Sequence, residues 1–265
     1  KAEHPEVLFL AEAFTRPKIM YRLAQVGFSQ SYTYFTWRNT KRELQAYFEE
    51  LTSYPACEFF RPNLWPNTPD ILTEYLQTGG RPAFVARLVL AATLGANYGI
   101  YGPAFELLVD TPLELGREEY LDSEKYQLVH WDLERTDSLK DLVGRVNRIR
   151  RENPALRQDR HLSFVPIDNE QLICFCKTSD DRSNCILVVV NLDPHHTHGG
   201  WLDLPLAELE LGPDRPYQMH DLLGDARYLW QGARNYVELN PLVVPAHIFR
   251  LRKKVRTERD FDYFM

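Results

Sequence analysis

Two carboxylates in this chain stand where proton-transfer chemistry would need them. Glu12 follows the apolar run Val7-Leu-Phe-Leu-Ala11 by one residue and precedes Thr15, a residue able to cap a helix. A carboxylate at the C-terminal mouth of a strand can donate or accept a proton. Near a helix start it could equally serve the helix dipole. Asp70 ends the stretch Asn67-Thr-Pro-Asp70, after the third expected strand. It could face the same mouth, or simply cap a helix opening at Ile71-Leu72. Tyr34, Trp37 and Trp65 bring flat apolar faces to that end. Aromatics beside carboxylates suit sugars, whose C–H faces stack while their hydroxyls bond to acid oxygens, although any one of these rings could be core.

Two other groups invite chemistry and carry less of it. His195-His196-Thr-His198 lies beside Gly199-Gly200 and reads as a solvated turn, with no cysteine or carboxylate at ligand spacing, so no metal is expected. Cys57, Cys174, Cys176 and Cys185 read as buried free thiols of a reducing compartment, because same-strand neighbours such as Cys174 and Cys176 make poor disulfide partners.

The elements that must hold Glu12 and Asp70 alternate. Residues 7–11, 31–37, 57–61 and 99–101 predict short strands. Between and after them, Thr15 opens a helix carrying Ile19, Met20, Leu23 and Val26, and Thr40 with Glu43 forms a capping-box pattern ahead of Leu44, Tyr47, Phe48 and Leu51. Phe84 to Ala92 marks another helix, and a last one from near Asp137 buries Leu139, Leu142, Val143, Val146 and Ile149 before Asn153-Pro154 stops it. Such alternation predicts parallel β/α units, four of them, or half of an eightfold barrel, whose functional groups sit after the strands. An open flavodoxin-like sheet is the competing architecture, but no Gly-rich phosphate loop follows any strand. From about residue 156 the rhythm turns to strands and tight turns, with β-rich runs at 171–177, 185–191, 234–239 and 246–251, which predicts an antiparallel sandwich. The organisation expected is therefore a partial barrel over 1–155, a sandwich over 156–253 and a tail over 254–265.

The chain has 265 residues, 44% hydrophobic and 12% aromatic, with a formal net charge of −6. That balance argues against nucleic-acid or anionic-membrane binding. The basic run from Arg250 to Arg256, followed by Glu258, Asp260 and Asp262, reads as a solvated tail. No apolar run approaches the ~18 residues of a membrane span, and no signal peptide is evident, so a cytoplasmic location is expected. The chain opens without Met and almost at once in an apolar strand, as if cut from something longer.

Taken together, these segments resemble the α-amylase superfamily of retaining glycoside hydrolases and transferases over almost the whole chain. Phe9-Leu-Ala-Glu12 is similar to the general-acid segment after barrel strand five, and Asn67-Thr-Pro-Asp70 to the segment after strand seven that ends in a third carboxylate. Met219-His-Asp-Leu-Leu-Gly224 and Pro245-Ala-His-Ile-Phe249 resemble the superfamily's C-terminal domain. Within it, Leu10-Ala-Glu-Ala-Phe-Thr-Arg-Pro17, Pro66-Asn-Thr-Pro-Asp-Ile-Leu72 and Ser123-Glu-Lys-Tyr126 are similar to segments of the bacterial maltosyltransferases that extend α-1,4-glucans from α-maltose-1-phosphate. Hydrolytic amylases usually place Asn-His-Asp contiguously after strand seven. Here Thr68 and Pro69 intervene, which favours the maltosyltransferase branch.

The resemblance implies the C-terminal half of a (β/α)8 barrel, strands five to eight, followed by the sandwich. It implies Glu12 as general acid/base, Asp70 as transition-state stabiliser, and Lys125 and Tyr126 as contacts of the donor sugar. Partners would be α-maltose-1-phosphate and an α-1,4-glucan, with no cofactor; the calcium common in the superfamily is usually held by a domain preceding this part. The superfamily's nucleophile, an aspartate after strand four, has no counterpart here, so the 265 residues alone are expected to transfer nothing. A half-barrel also exposes strand edges, so either self-association or a covering N-terminal half is expected. An amylase, a branching enzyme, a trehalose-forming isomerase and a non-catalytic sugar-binding module are the alternatives.

Overall fold

The computed structural model describes residues 2–253 of the chain. Its first half is built on a parallel sheet of β1 (Leu10–Ala11), β2 (Gln30–Tyr32), β3 (Pro62–Leu64) and β4 (Asn97–Tyr98), lying side by side in chain order. The pairings Leu10 with Gln30, Ser31 with Pro62 and Asn63 with Asn97 are all parallel. Helices follow the strands: α1 (Pro17–Gln25), α2 (Lys41–Thr52), the four-residue α3 (Ala56–Phe59), α4 (Glu74–Leu94), the short α5 (Gly102–Glu106) and α6 (Lys140–Glu152). Parallel strands aim their C-terminal ends at one edge of the sheet, so whatever follows Ala11, Tyr32, Leu64 and Tyr98 gathers there.

Several boundaries differ from the sequence reading. The strand expected at 7–11 contracts to Leu10–Ala11, and Val7, Leu8, Phe9 and Leu10 are exposed rather than buried. β1 is an edge strand of its sheet, so this run is apolar without being sandwiched. The strand read at 31–37 ends at Tyr32, and Tyr34–Trp37 turns into a 3₁₀ helix. Residues 57–61 are not a strand. Ala56 and Phe60 bury at helical spacing in α3 and the turn after it, and the strand comes later, at Pro62–Leu64. The fourth strand lies at Asn97–Tyr98, not 99–101. α1 is capped by Arg16, not Thr15, whose carbonyl instead accepts a hydrogen bond from the Tyr34 hydroxyl at 2.6 Å. The capping box at Thr40 and Glu43 forms as read: the Thr40 hydroxyl accepts from the Glu43 amide, and the Glu43 carboxylate accepts from the Thr40 amide.

The second half is a six-stranded antiparallel sheet in the order β10-β9-β12-β7-β6-β5, facing a two-stranded sheet of β8 and β11. Its members are β5 (Leu162–Phe164), β6 (Leu172–Thr178), β7 (Cys185–Asn191), β8 (His198–Asp203), β9 (Tyr217–Asp221), β10 (Arg227–Trp230), β11 (Arg234–Leu239) and β12 (Ala246–Arg252). Alternate residues of β6 and β7 serve two cores. Leu172, Cys174, Cys176, Leu187 and Val189 pack against Leu202, Val237 and Leu239 of the small sheet. Ile173, Phe175, Ile186, Val188 and Val190 join the core of α4 and α6. Burial on both faces explains why these strands read as unbroken apolar runs. The thiols of Cys176 and Cys185 lie 3.2 Å apart, hydrogen-bonded and not joined as a disulfide, within the sandwich core. Of the tail read over 254–265 and the basic run ending at Arg256, only Arg250–Lys253 fall within the described residues.

Two cations gather at the C-terminal end of α4, one from the sandwich and one, half-buried, from α6. Lys177 of β6, fully buried, donates to the Leu94 carbonyl at 3.2 Å and to the Gln158 carbonyl. Arg150 donates to the carbonyls of Ala92, Gly95 and Ala96, the last at 2.7 Å. Burial pulls the Lys177 ammonium down to about 7. Below that pH both folded and unfolded chains hold the proton, and the desolvation cost is felt in full. Between about 7 and the ordinary lysine value only the unfolded chain holds it, so stability from this group rises with pH. The stability difference between wild type and Lys177→Met is therefore expected to grow in favour of wild type from pH 7 to pH 9.5. Urea-unfolding midpoints of both proteins across that range measure it, and a constant difference would contradict the assignment.

Candidate active site at the mouth of the parallel sheet

Glu12 leaves the sheet directly after β1 and is exposed. Three residues separate it from Arg16, the N-cap of α1, so Glu12 lies outside that helix's first turn, which carries no acid. Its neighbour across the mouth is Tyr32, the last residue of β2. Burial raises the Tyr32 phenol, and the Glu12 carboxylate nearby raises it further. An aromatic wall continues from there: Tyr32 meets Trp65 edge to face at 5.2 Å, and Phe14 meets Trp37 at 4.9 Å. Trp65 lies flat over Gly99, where any Cβ would overlap its indole. Its Nε1 is a buried donor that no described residue accepts from. Trp37 is fixed by donating Nε1 to Glu118 at 2.8 Å.

Asp70 is exposed and caps nothing, since the next helix begins at Glu74 with Thr73 as its N-cap. Thr68 shapes its turn, accepting the Asp70 amide on its hydroxyl at 3.2 Å and bridging to Ile71. The Asp70 carboxylate accepts from Lys125 Nζ at 2.8 Å, although 55 residues separate them in the chain. The Lys125 ammonium also stands 5.5 Å from the Tyr126 ring, and the Asp70 contact raises its pKa. Asp70, Tyr120, Ser123, Lys125 and Tyr126 line a pocket of about 120 Å³. The structure thus brings together Asp70, Lys125 and Tyr126, and sets Glu12 on the same edge of the sheet beside Tyr32.

Several residues that shape this mouth were not singled out by the sequence reading. Buried Asn67 donates to the Tyr120 hydroxyl at 2.8 Å and accepts the Tyr101 amide at 2.9 Å, so it holds loops rather than a ligand. Glu124 accepts the Tyr101 hydroxyl at 2.5 Å and the Trp131 indole at 2.9 Å, and those bonds, Tyr101 first, hold its carboxyl below the usual range. Ser123 accepts the amides of Tyr126 and Gln127 on its carbonyl, which folds Ser123–Tyr126 into a turn. Ser123 and Glu124 stood inside a quoted segment, but nothing local marked the partners of Glu124, which come from residues 101 and 131.

The histidine turn is self-contained. A carboxylate does stand close by, contrary to the sequence reading: Asp193 Oδ2 lies 2.9 Å from His196 Nδ1 and 2.9 Å from His198 Nε2. Burial would raise the Asp193 carboxyl, but bonds from His198, the His195 amide and His196 outweigh it and hold it well below the usual range. Among the described residues no group of three or more His, Cys, Asp or Glu side chains is arranged to hold a metal ion. No described helix is long and apolar enough to cross a membrane.

The segments quoted from the sandwich also meet. Asp221 accepts the amides of Leu223, Gly224 and Ile248 and lies 3.0 Å from His247 Nδ1, locking Met219–Gly224 to Pro245–Phe249.

Comparison with known proteins bears on both halves. A family model described as "GLGE, C-terminal" matches residues 164–251. The alpha-1,4-glucan:maltose-1-phosphate maltosyltransferase of Methylacidiphilum infernorum is 51% identical over 95% of this chain, and that of Chlorobaculum tepidum is 52% identical over 95%. The chain spans 38% of the length of each of these relatives. Among solved structures, the maltogenic alpha-amylase AmyB of Thermotoga neapolitana superposes with a TM-score of 0.67 at 13% identity, covering 95% of this chain and 56% of that one. At that identity the likeness shows an α-amylase type of fold and nothing about activity. By sequence, this chain belongs to the family of the alpha-1,4-glucan:maltose-1-phosphate maltosyltransferases, of whose length it represents a part.

Proposed function

We propose that this chain supplies the acid/base half of a retaining maltosyltransferase site, in a protein that moves maltosyl units from α-maltose-1-phosphate to the 4-hydroxyl end of α-1,4-glucans. The parallel sheet is read as strands five to eight of a (β/α)8 barrel, residues 1–155, with the sandwich over 156–253. Glu12 protonates the departing phosphate oxygen as the anomeric bond breaks. It then takes the proton of the acceptor's 4-hydroxyl as the glycosidic bond forms. Asp70 holds sugar hydroxyls and stabilises the oxocarbenium-like transition state, and Lys125 and Tyr126 hold the donor sugar. The nucleophile that completes the pair, about 5–5.5 Å from the acid/base across the anomeric carbon, comes from the remaining length of the family, so the 265 residues alone turn over no donor.

The observation that carries this reading is the 2.8 Å contact between Asp70 and Lys125. It joins two segments recognised independently in the sequence, on the sheet edge that also bears Glu12. The contact is surface-exposed on both sides, which makes it a poor stabiliser of the fold and a good ligand for hydroxyls. Accordingly, Lys125→Ala is expected to leave the thermal midpoint unchanged while raising the donor KM of the full-length enzyme about tenfold or more. Steady-state phosphate release at varied donor concentration measures this, and an unchanged KM would remove Lys125 from the donor site.

A further inference from the structure

The small sheet of the sandwich carries a second place where rings and hydroxyl-bonding groups meet. In β8 and β11 alternate residues point outward, namely Gly199, Trp201 and Asp203 on one strand and Arg234, Tyr236 and Glu238 on the other. Trp201 and Tyr236 are direct cross-strand partners, and they remain 44% and 49% exposed. Their ring centroids lie 5.4 Å apart with planes inclined at 58°. Tyr236 lies flat because residue 199 is glycine: a Cβ there would stand 2.7 Å from Tyr236 Cζ and closer still to its hydroxyl.

Polar groups rim the two rings. The Arg234 guanidinium lies 5.4 Å from the Trp201 ring centre. Asp168 accepts the Trp201 amide at 2.7 Å and faces Arg234 at 3.7 Å, and Glu238 accepts the Tyr236 hydroxyl at 3.2 Å. The platform is also bolted to the first half of the molecule. Lys41, at the start of α2, donates to the carbonyls of Ile167 and Asn169 at 2.8 and 3.2 Å, on either side of Asp168.

From this arrangement we infer that Trp201 and Tyr236 form an α-glucan-binding platform, separate from the mouth that holds Glu12 and Asp70. Two inclined rings side by side across the strands fit the curvature of an α-1,4-linked chain, whose consecutive glucose faces turn relative to one another. A flat β-1,4-linked chain would ask for coplanar rings. Arg234, Asp168 and Glu238 supply the donors and acceptors that sugar hydroxyls need at a ring's edge. The choice of glucan as ligand rests on the reading of the protein as an α-glucan enzyme; the existence of the platform does not.

The test uses the 265-residue chain itself, with maltoheptaose as the soluble probe in titration calorimetry and glycogen as the polymer in affinity gels. Wild type is expected to bind both. Trp201→Ala and Tyr236→Ala each weaken binding about tenfold or more. Gly199→Ala, which displaces the Tyr236 ring, weakens it as well, while Arg148→Ala on the exposed face of α6 leaves it unchanged. Circular dichroism of each variant verifies folding. Wild-type affinity in the Trp201 and Tyr236 variants, equal affinity for cellohexaose, or no binding of either α-glucan would overturn the platform. So would light scattering that showed a dimer dispersed by Trp201→Ala, since the face would then belong to a second copy. Maltosyl transfer is read separately, as phosphate release by the full-length enzyme, and can fail without moving this binding.

Discussion

Replacing Glu12 with glutamine in a full-length enzyme carrying this chain is expected to lower kcat for maltosyl transfer about 10³-fold, within the range of general acid–base contributions. Glutamine keeps the size of the side chain and removes its ionisable proton. Neither protonation of the departing phosphate oxygen nor deprotonation of the acceptor hydroxyl can then occur. Because Glu12 is exposed and leaves the sheet without capping α1, the change should not disturb folding. Donor KM is expected to stay within about threefold, since the interaction lost belongs to the transition state rather than to the ground state. A large rise in KM with kcat preserved would instead make Glu12 a binding residue.

The second large effect is on stability, and it comes from behind the mouth. Arg87 in α4 is 1% exposed and donates to the Arg38 carbonyl at 2.6 Å and to the Phe35 carbonyl at 2.5 Å. Its guanidinium sits 3.8 Å from the centre of the Phe35 ring. Burial pulls its pKa down to about 9. The carbonyls it holds lie within and just after the 3₁₀ turn Tyr34–Trp37, which carries an aromatic wall of the mouth. Arg87→Ala leaves both carbonyls without that donor in the core and opens a cavity around Phe35. The expected loss is about 3–5 kcal/mol. Arg87→Lys, which can still reach one carbonyl, should lose less. Guanidinium unfolding followed by tryptophan emission measures both, and an alanine variant within about 1 kcal/mol of wild type would mean that the turn is held by other contacts.

Much of this arrangement is legible in the sequence, and the exceptions share a cause. β7 and β11 fall at the residues read for them, because six or seven consecutive strand residues leave a clear period or an unbroken apolar run. The strands of the parallel sheet are two or three residues long. A strand that short has no period to read, so runs beside it, such as 57–61 over α3 and the turn after it, take its place in the pattern. Position at the mouth was nevertheless recoverable for Glu12 and Asp70, because both follow strand ends whose order survives errors of a few residues. Glu118 and Glu124 were not recoverable, since what marks them is a partner far away in the chain: Trp37 for one, Tyr101 for the other. Asn67 illustrates the converse. The missing histidine beside it pointed to a branch of the superfamily, whereas the buried amide itself is fully engaged in holding Tyr101 and Tyr120.

In the proposed function Glu12, Asp70 and Lys125 belong to one site that transfers maltosyl groups from a sugar phosphate to a glucan. Its most direct measurement follows inorganic phosphate and product length together, in a full-length enzyme carrying this chain, supplied with α-maltose-1-phosphate and a short α-1,4-glucan. The expected result is one phosphate released for every two-glucose extension, with both signals lost together in Glu12→Gln. Free maltose released without extension, or unchanged turnover in Glu12→Gln, would contradict it.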